Sequence, residues 1–489
     1  MTLDSCTSNG RRQRALALIM TLAMILVPAL PQAQERSLPS FGGLGGGLLS
    51  DRMEEDIGRQ VMSSIRRSAE QVHDPLVAEY LSSVVYRLVP YTPLSDRDLT
   101  IVVIDDPAIN AFAVPGNIVG VNGGLFLHAR TEQQFGSVMA HELAHLSQRH
   151  FARRLEQQER SAPLTAAGII AGIVLTAVTG SDAGLATIVG TQAMSIQNML
   201  SYSRAHEQEA DRIGIEIMAE AGLDPRGMPE MFEVMMRQSR LQGNRIPEYL
   251  STHPLTRSRV SDTRSRAERY QPGNVDDTHE YHLIRARLQV HYARNVGEAI
   301  DAFEAYLEEP DARQKAAARY GLAVALLAED QVDRARQLLQ GLLDDNPHRI
   351  TYQVTLAEAL QEQGKLDEAR ELMQTALQRN PGNYPITDRL AHIETEAGNG
   401  SRAADHLRTL TRDYPERENL WLRLAEAEGM ARNIVGVHRA RAEYDILMGD
   451  LEAAQKQLQR AQERVAPEAP LRQVISERLL EVRRRLSQS

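Results

Sequence analysis

The chain contains 489 residues, which is long for one domain and indicates two or three. Aromatic residues make up only 4% of it, whereas Ala, Leu, Glu, Gln and Arg are abundant, and this composition favours a mostly helical protein. The formal net charge is −10. Because a nucleic-acid-binding protein needs clustered positive charge to contact phosphates, this charge and the lack of a long basic run argue against that class.

The N-terminus has the organisation of an export signal. Three basic residues, Arg11, Arg12 and Arg14, precede an almost wholly apolar stretch over 15–27. This stretch is short for a membrane anchor, the alternative interpretation, because a spanning helix needs about 20 apolar residues. We therefore expect residues 1–33 to be a cleaved signal peptide and the mature protein to be periplasmic.

Cysteine usage limits the chemistry of the exported chain. The single cysteine, Cys6, lies before the apolar stretch and would leave with the signal. The mature protein would then have no disulfide and no thiolate, which excludes a cysteine protease and a cysteine-ligated zinc site. Residues 34–49 are rich in glycine and are expected to form a flexible linker before the folded part.

Apolar periodicity predicts a mostly helical fold with a small sheet over residues 50–272. Thr131 and Gln134 form a capping-box pair at the start of one helix, and Gly222 ends another. In chain order, the predicted elements are helices over 53–65 and 76–88, strands over 101–104 and 118–127, a long helix from 131 to about 157, and a helix over 206–221. The apolar stretch 164–180 is expected to be a buried or interfacial helix, because it is shorter than a membrane span.

The second half of the sequence repeats with a period of 34 residues. Leu-Ala pairs, single alanines and prolines each recur at this spacing. They are Leu322-Ala323, Leu356-Ala357, Leu390-Ala391 and Leu424-Ala425; Ala335, Ala369 and Ala403; and Pro347, Pro381 and Pro415. Small residues let the two helices of a hairpin approach closely, and the prolines end each second helix. The pattern is typical of tetratricopeptide repeats, so residues 273–489 are predicted to form an all-α solenoid.

A candidate metal site lies in the first half, where residues 141–145 read HELAH. On a helix, His141 and His145 are four residues apart and share a face, so two imidazoles can bind one metal ion. Glu142 lies beside them, where it can accept a proton from the attacking water. His150 is expected to point away from the face of His141 and to be a surface residue or a neighbour of the ligands.

The third ligand is expected on the helix that carries HEQEAD, residues 206–211. Glu207 and Asp211 are again four residues apart. A carboxylate at Glu207 would complete a His₂Glu zinc site, and Asp211 could hydrogen-bond to a ligating imidazole and fix its tautomer. The residue types alone leave His206 and Glu209 open as the third ligand.

The combination of HExxH with ExxAD about sixty residues later resembles the prenyl-protease and heat-shock-protease superfamily of zinc metalloproteases. Further segments, followed by the repeats, resemble the β-barrel assembly-enhancing proteases, a periplasmic family of Gram-negative bacteria. These segments read INAFAVPGNIVGVNGGLF (109–126), VMAHELAHLSQRH (138–150), SAPLT (161–165) and THPLTRSR (252–259). The likeness covers nearly all of the mature chain. It implies an α+β zincin-type protease domain, one Zn²⁺ per chain and a repeat solenoid.

The same resemblance implies roles for particular residues. The first Glu of ExxAD is the third zinc ligand in that superfamily, which selects Glu207. His253, in the THP motif, matches a histidine that can take the fourth zinc position and hold the enzyme latent. Zincins commonly bind an extended peptide as an added strand. The candidates for that strand edge are Asn110, Ala111 and Phe112.

Two functions follow from these motifs. The resemblance implies an endopeptidase that degrades stalled or misfolded outer-membrane β-barrel precursors beside the β-barrel assembly machinery, with the repeats holding substrates or partners. The alternative is a non-proteolytic chaperone or adaptor whose zinc site is regulatory. Glu142 favours catalysis, because an adaptor needs no proton acceptor at that place. Neither function involves nucleic acid, and contact of 164–180 with a membrane surface is left open.

Overall fold

The computed structural model describes residues 51–159, 203–241, 248–273, 278–307 and 312–487. The predicted signal peptide, the linker and the apolar stretch 164–180 lie outside these residues. Within the described ranges, none of the helices has both the length and the apolar character that crossing a bilayer requires.

The first half of the structure combines nine α-helices of the described ranges with one small sheet. These elements are α1 Asp51–Ser68, α2 Pro75–Leu88, β1 Thr100–Ile104, β2 Ala111–Val114, β3 Ile118–Asn122, α3 Gly124–His128, α4 Glu132–Ser147, α5 His150–Glu159, α6 Arg204–Glu220, α7 Gly227–Leu241, α8 Glu248–Thr252 and α9 Arg257–Ala267. The sheet has the order β1-β3-β2, with β1 parallel and β2 antiparallel to β3. The predicted fold class is confirmed.

Two predicted elements are shorter than the sequence suggested. The strand predicted over 118–127 ends at Asn122 and continues into α3. At this turn the chain lies against the preceding loop so closely that a Cβ on Gly124 would be 2.1 Å from the carbonyl oxygen of Pro107. The long helix predicted to reach 157 is interrupted between α4 and α5, because Arg149 has a left-handed backbone with a φ of 51°.

Helix α4 packs against β2, α6 and α7. Its start is capped as predicted, since Oγ1 of Thr131 accepts a hydrogen bond from the Gln134 amide at 3.3 Å. Gly214 lets α6 approach α4 closely, because a Cβ there would be 3.3 Å from the amide nitrogen of His141. This close approach brings the two motif-bearing helices side by side.

The second half is helical throughout its described residues. Its helices are α10 His279–His291, α11 Val296–Tyr306, α12 Ala312–Ala328, α13 Val332–Asp345, α14 Ile350–Glu362, α15 Leu366–Arg379, α16 Tyr384–Glu396, α17 Gly400–Asp413, α18 Glu418–Met430, α19 Ile434–Met448, α20 Leu451–Glu463 and α21 Pro470–Leu486. The repeated Leu-Ala pairs are buried in α12, α14, α16 and α18. Ala335, Ala369 and Ala403 are fully buried where second helices pack. Each repeated proline follows the end of such a helix, so the predicted phase of the repeats is confirmed.

The repeats fold back onto the first half through buried charged side chains. Nε of Arg66, in α1, lies 3.1 Å from a carboxylate oxygen of Glu418 in α18. The same guanidinium donates to the backbone oxygens of Glu416 at 2.7 Å and Leu447 at 3.0 Å. One arginine of α1 thus holds together the ends of two repeat helices.

Candidate metal centre

Helix α4 presents the HELAH side chains to the interior of the first half. His141, Glu142 and His145 are each at most 2% exposed. The Nε2 atoms of the two histidines lie 3.0 Å apart, because residues four apart share one face of the helix. Two imidazoles therefore point at one position.

Helix α6 brings a carboxylate to the same position. Oxygen atoms of Glu207 lie 3.3 Å from Nε2 of His145 and 3.7 Å from Nε2 of His141. Of the two alternatives for the third ligand, Glu209 instead lies 3.0 Å from Nε2 of His150, and its side chain is 38% exposed. The structure brings Glu207 into the cluster and places Glu209 and His206 outside it.

His253 completes a group of four. The group comprises His141, His145, Glu207 and His253, and one potential ligand atom from each lies within 4.8 Å of the others. The His253 ring stacks on Tyr249 with centroids 4.5 Å apart. Its Nδ1 lies 2.8 Å from Oγ1 of Thr252, so the other ring nitrogen is directed at the cluster.

Two charged side chains, those of Asp211 and Arg259, contact this four-residue group. Oδ1 of Asp211 lies 3.1 Å from Nδ1 of His141, and its role in fixing the tautomer of this ring stays a prediction. Arg259 donates to both oxygens of Asp211, at 2.8 and 2.7 Å. Its Nη1 lies 2.5 Å from Glu207 and donates to the Pro254 carbonyl at 2.9 Å. Sequence reasoning missed Arg259, because nothing in the THPLTRSR segment distinguishes it from its neighbour Arg257.

Burial sets the protonation of these groups. It lowers the pKa of His141 and of His145 well below the usual histidine value, so both imidazoles are neutral. Burial also raises the pKa of Glu207 to about 7, although the neighbouring His253 and Arg259 act in the opposite direction. Neutral imidazoles and a carboxylate are the ligands that zinc takes in catalytic sites. The chemistry and convergence of these donors fit a zinc ion.

Glu142 lies between this cluster and the sheet. Its Oε1 accepts a hydrogen bond from the hydroxyl of Tyr249 at 3.1 Å, and its carboxylate also accepts one from the backbone amide of Ala113 in β2. Burial, with the charge of Glu207 adding to it, raises the pKa of Glu142 well above that of an exposed glutamate. The proposed proton acceptor is thus fixed next to a strand.

That strand, β2, lies at an edge of the sheet formed by the described residues. Ala111 belongs to it, and its side chain lies in the core shared with α4. Phe112 faces the opposite side and covers Gly120, where a Cβ would be 2.1 Å from its ring. Asn110 precedes the strand, and its Oδ1 accepts a hydrogen bond from the Ala111 amide at 3.0 Å. A substrate-binding role for these three residues stays a prediction.

His150 lies deeper than its sequence position suggested. It is completely buried, and its Nδ1 is 2.9 Å from Nδ1 of His145, so of the two expected positions it takes the one beside the proposed ligands and not the one at the surface. The physical reason is the left-handed backbone of Arg149, which ends α4 and turns the start of α5 back toward His145.

Fold and site together define a metallopeptidase that carries tetratricopeptide repeats. Residues 75–267 match peptidase family M48, and residues 292–360 and 360–428 match the tetratricopeptide repeat. Metalloendopeptidases are found among the relatives. One is mitochondrial metalloendopeptidase OMA1 of Schizosaccharomyces pombe, which is 30% identical over 209 residues, covering 43% of this chain and 58% of that protein.

Two bacterial relatives match a longer part of the chain. The putative β-barrel assembly-enhancing protease of Vibrio cholerae is 37% identical over 336 residues, covering 68% of this chain and 69% of the relative. The β-barrel assembly-enhancing protease of Escherichia coli K12 is 36% identical over 333 residues, covering 68% of each chain. The chain belongs to the family of β-barrel assembly-enhancing proteases, and its protease part belongs to peptidase family M48.

Proposed function

We propose that this protein is a periplasmic zinc endopeptidase that degrades misfolded or stalled β-barrel precursors during outer-membrane protein assembly. The observation that carries the proposal is the convergence of His141, His145 and Glu207 beside Glu142, next to an edge strand. The names of the bacterial relatives support the link to β-barrel assembly. The export signal predicted for residues 1–33 supports the location.

One zinc ion per chain would be held by His141, His145 and Glu207, with His253 able to reach the fourth position. When bound, it supplies Lewis-acid activation of water and stabilises negative charge on the substrate carbonyl. Asp211 would keep the Nδ1 proton of His141 in place, which leaves Nε2 of that ring for the ligand position.

Glu142 is the proton acceptor in this proposal. Tyr249 and the Ala113 amide hold its carboxylate in one orientation, and burial raises its pKa above that of an exposed glutamate, which makes the carboxylate a stronger base. After taking the proton, Glu142 passes it to the leaving amine. The neighbouring edge strand is the candidate for binding an extended substrate beside this carboxylate.

The repeats are proposed to hold β-barrel precursors or components of the β-barrel assembly machinery. Repeat solenoids bind extended segments along their concave surfaces. Here the repeats also pack on the first half through Arg66 and Glu418, which would keep a captured chain close to the protease. The apolar stretch 164–180 is the candidate for contact with a membrane surface.

A variant that lacks the proton acceptor distinguishes the proteolytic proposal from the adaptor alternative. Glu142→Gln should lower cleavage of an unfolded β-barrel precursor by about 10²- to 10⁴-fold, because general-base catalysis is lost while the ligands remain. Zinc content and binding of the precursor should be unchanged. If a strain lacking the protein is rescued equally well by Glu142→Gln and by wild type, the main function is that of an adaptor and the proteolytic proposal is wrong.

A further inference from the structure

His145 has a second ring nitrogen whose surroundings the proposed reaction does not explain. Its Nε2 faces Glu207 and His141, so in the proposed zinc site this atom is the ligand. Nδ1 must then carry the proton of the neutral ring. That atom lies 2.9 Å from Nδ1 of His150, which can accept its hydrogen bond.

The chain of contacts continues from His150 to a carboxylate. With Nδ1 accepting, the proton of the His150 ring is on Nε2, and Nε2 lies 3.0 Å from Oε2 of Glu209. Arg153 contacts the same oxygen at 3.3 Å. One assignment of protons therefore allows both hydrogen bonds to form: His145 donates to His150, and His150 donates to Glu209.

The backbone is arranged so that this contact can form. In a continuous helix, His150 would lie about 140° around the axis from His145 and could not face it. The left-handed Arg149 breaks the helix and lets α5 restart at His150. The ring of His206 then stacks on His150 with centroids 4.5 Å apart and planes 14° apart, which fixes its orientation.

The two proposed histidine ligands thus differ in the group that contacts the ring nitrogen facing away from the metal position. His141 contacts a carboxylate directly, at Asp211. His145 reaches one through an intervening imidazole, and that carboxylate, Glu209, is partly exposed. Groups that accept a hydrogen bond from a ligating histidine orient its ring and raise its basicity.

We infer that His150 is a positioning residue for the zinc ligand His145 and that Glu209 is the carboxylate that orients His150. The inference deepens the proposed function and rests on its zinc site. Neither residue contacts substrate; both act by holding Nε2 of His145 toward the metal position.

The test measures zinc affinity of the full chain by competition with a chromophoric chelator, together with the absorption spectrum of the Co²⁺-substituted protein. His150→Leu should weaken zinc binding by about 10- to 100-fold and shift the Co²⁺ bands. His150→Asn should stay within about threefold of wild type, because its Oδ1 can accept from His145 in place of Nδ1. Glu209→Gln should show a smaller loss, of about three- to tenfold.

A matched control is His348→Ala, which removes an exposed imidazole of the repeats, and it should bind zinc as wild type does. Equal losses in His150→Leu and His150→Asn would mean that the residue acts only by packing and would overturn the inference. So would wild-type affinity and an unchanged Co²⁺ spectrum in His150→Leu. Circular dichroism of the metal-free proteins checks folding. If His150→Leu does not fold, the zinc affinity of Glu209→Gln, which changes a partly exposed side chain, tests the inference in its place.

An error in the proposed zinc site and an error in the positioning role give different results in these zinc-binding measurements. If the wild-type chain binds no zinc, both the proposed zinc site and this inference are wrong. If it binds one zinc ion and the His150 and Glu209 variants bind it equally well, only the positioning role is wrong.

Discussion

Nε2 of His253 lies 3.6 Å from Oε1 of Glu142, and both side chains are buried. The imidazole therefore lies directly beside the proposed proton acceptor, on the side where the proposed reaction needs the attacking water. Because the same ring also belongs to the four-residue cluster, it can act as a fourth ligand or as a group close to the substrate carbonyl. These two roles predict opposite effects of removing it.

We expect His253→Ala to raise proteolysis or to cause self-cleavage, because removal of the ring opens the fourth position to water while three ligands remain. Cleavage of an unfolded β-barrel precursor and zinc content would be measured together. His348→Ala, which changes an exposed histidine of the repeats, is the matched control. Loss of activity with zinc retained would show instead that His253 stabilises the transition state.

Glu207→Gln should bring the zinc content well below one ion per chain, because the amide carries no charge and is a poor zinc ligand. Elemental analysis of protein dialysed against a weak chelator gives the measurement. Glu142→Gln is the comparison, since Glu142 is adjacent to the cluster but is not a proposed ligand, and it should keep its zinc. Undiminished zinc in Glu207→Gln would rule out the assignment of the third ligand.

Arg259→Leu should destabilise the metal-free protein by about 3–5 kcal/mol, because it leaves the buried carboxylates of Glu207 and Asp211 without their cation. Arg259→Lys should lose less, since it keeps the charge but cannot bond to both oxygens of Asp211. Urea unfolding followed by circular dichroism measures the difference. Arg257→Leu, at an exposed position of the same helix, should be close to wild type; equal stability of the two leucine variants would refute the charge argument.

Removal of Arg66 should loosen the contact between the repeats and the first half. Arg66→Ala leaves Glu418 without its cation and two backbone oxygens without their donor, at a cost of about 3 kcal/mol. Thermal unfolding and limited proteolysis would report it. Arg59→Ala serves as the control in the same helix, because its ion pairs are exposed and are each worth at most about 1 kcal/mol. Indistinguishable digestion patterns of the two variants would argue that the Arg66 contact does not hold the interface.

Local spacing was enough to predict much of the molecule. His141 and His145 share a face because residues four apart on a helix always do, and Glu142 lies about 60° around the helix axis from His145, next to that face. The period of 34 residues predicted the helix pairs of the second half, since each small residue and each proline has a local steric effect. These features depend on neighbours along the chain, and the sequence by itself determined them.

The completion of the site depended on tertiary packing. Glu207 and Glu209 are two residues apart, so they point about 200° apart on α6, and only the contact of α6 with α4 decides which one meets the histidines. His150 reaches His145 because Arg149 breaks a helix that apolar periodicity predicted to continue. Arg259 is 48 residues from Asp211, and a contact at such a separation is set by how helices pack and not by local spacing.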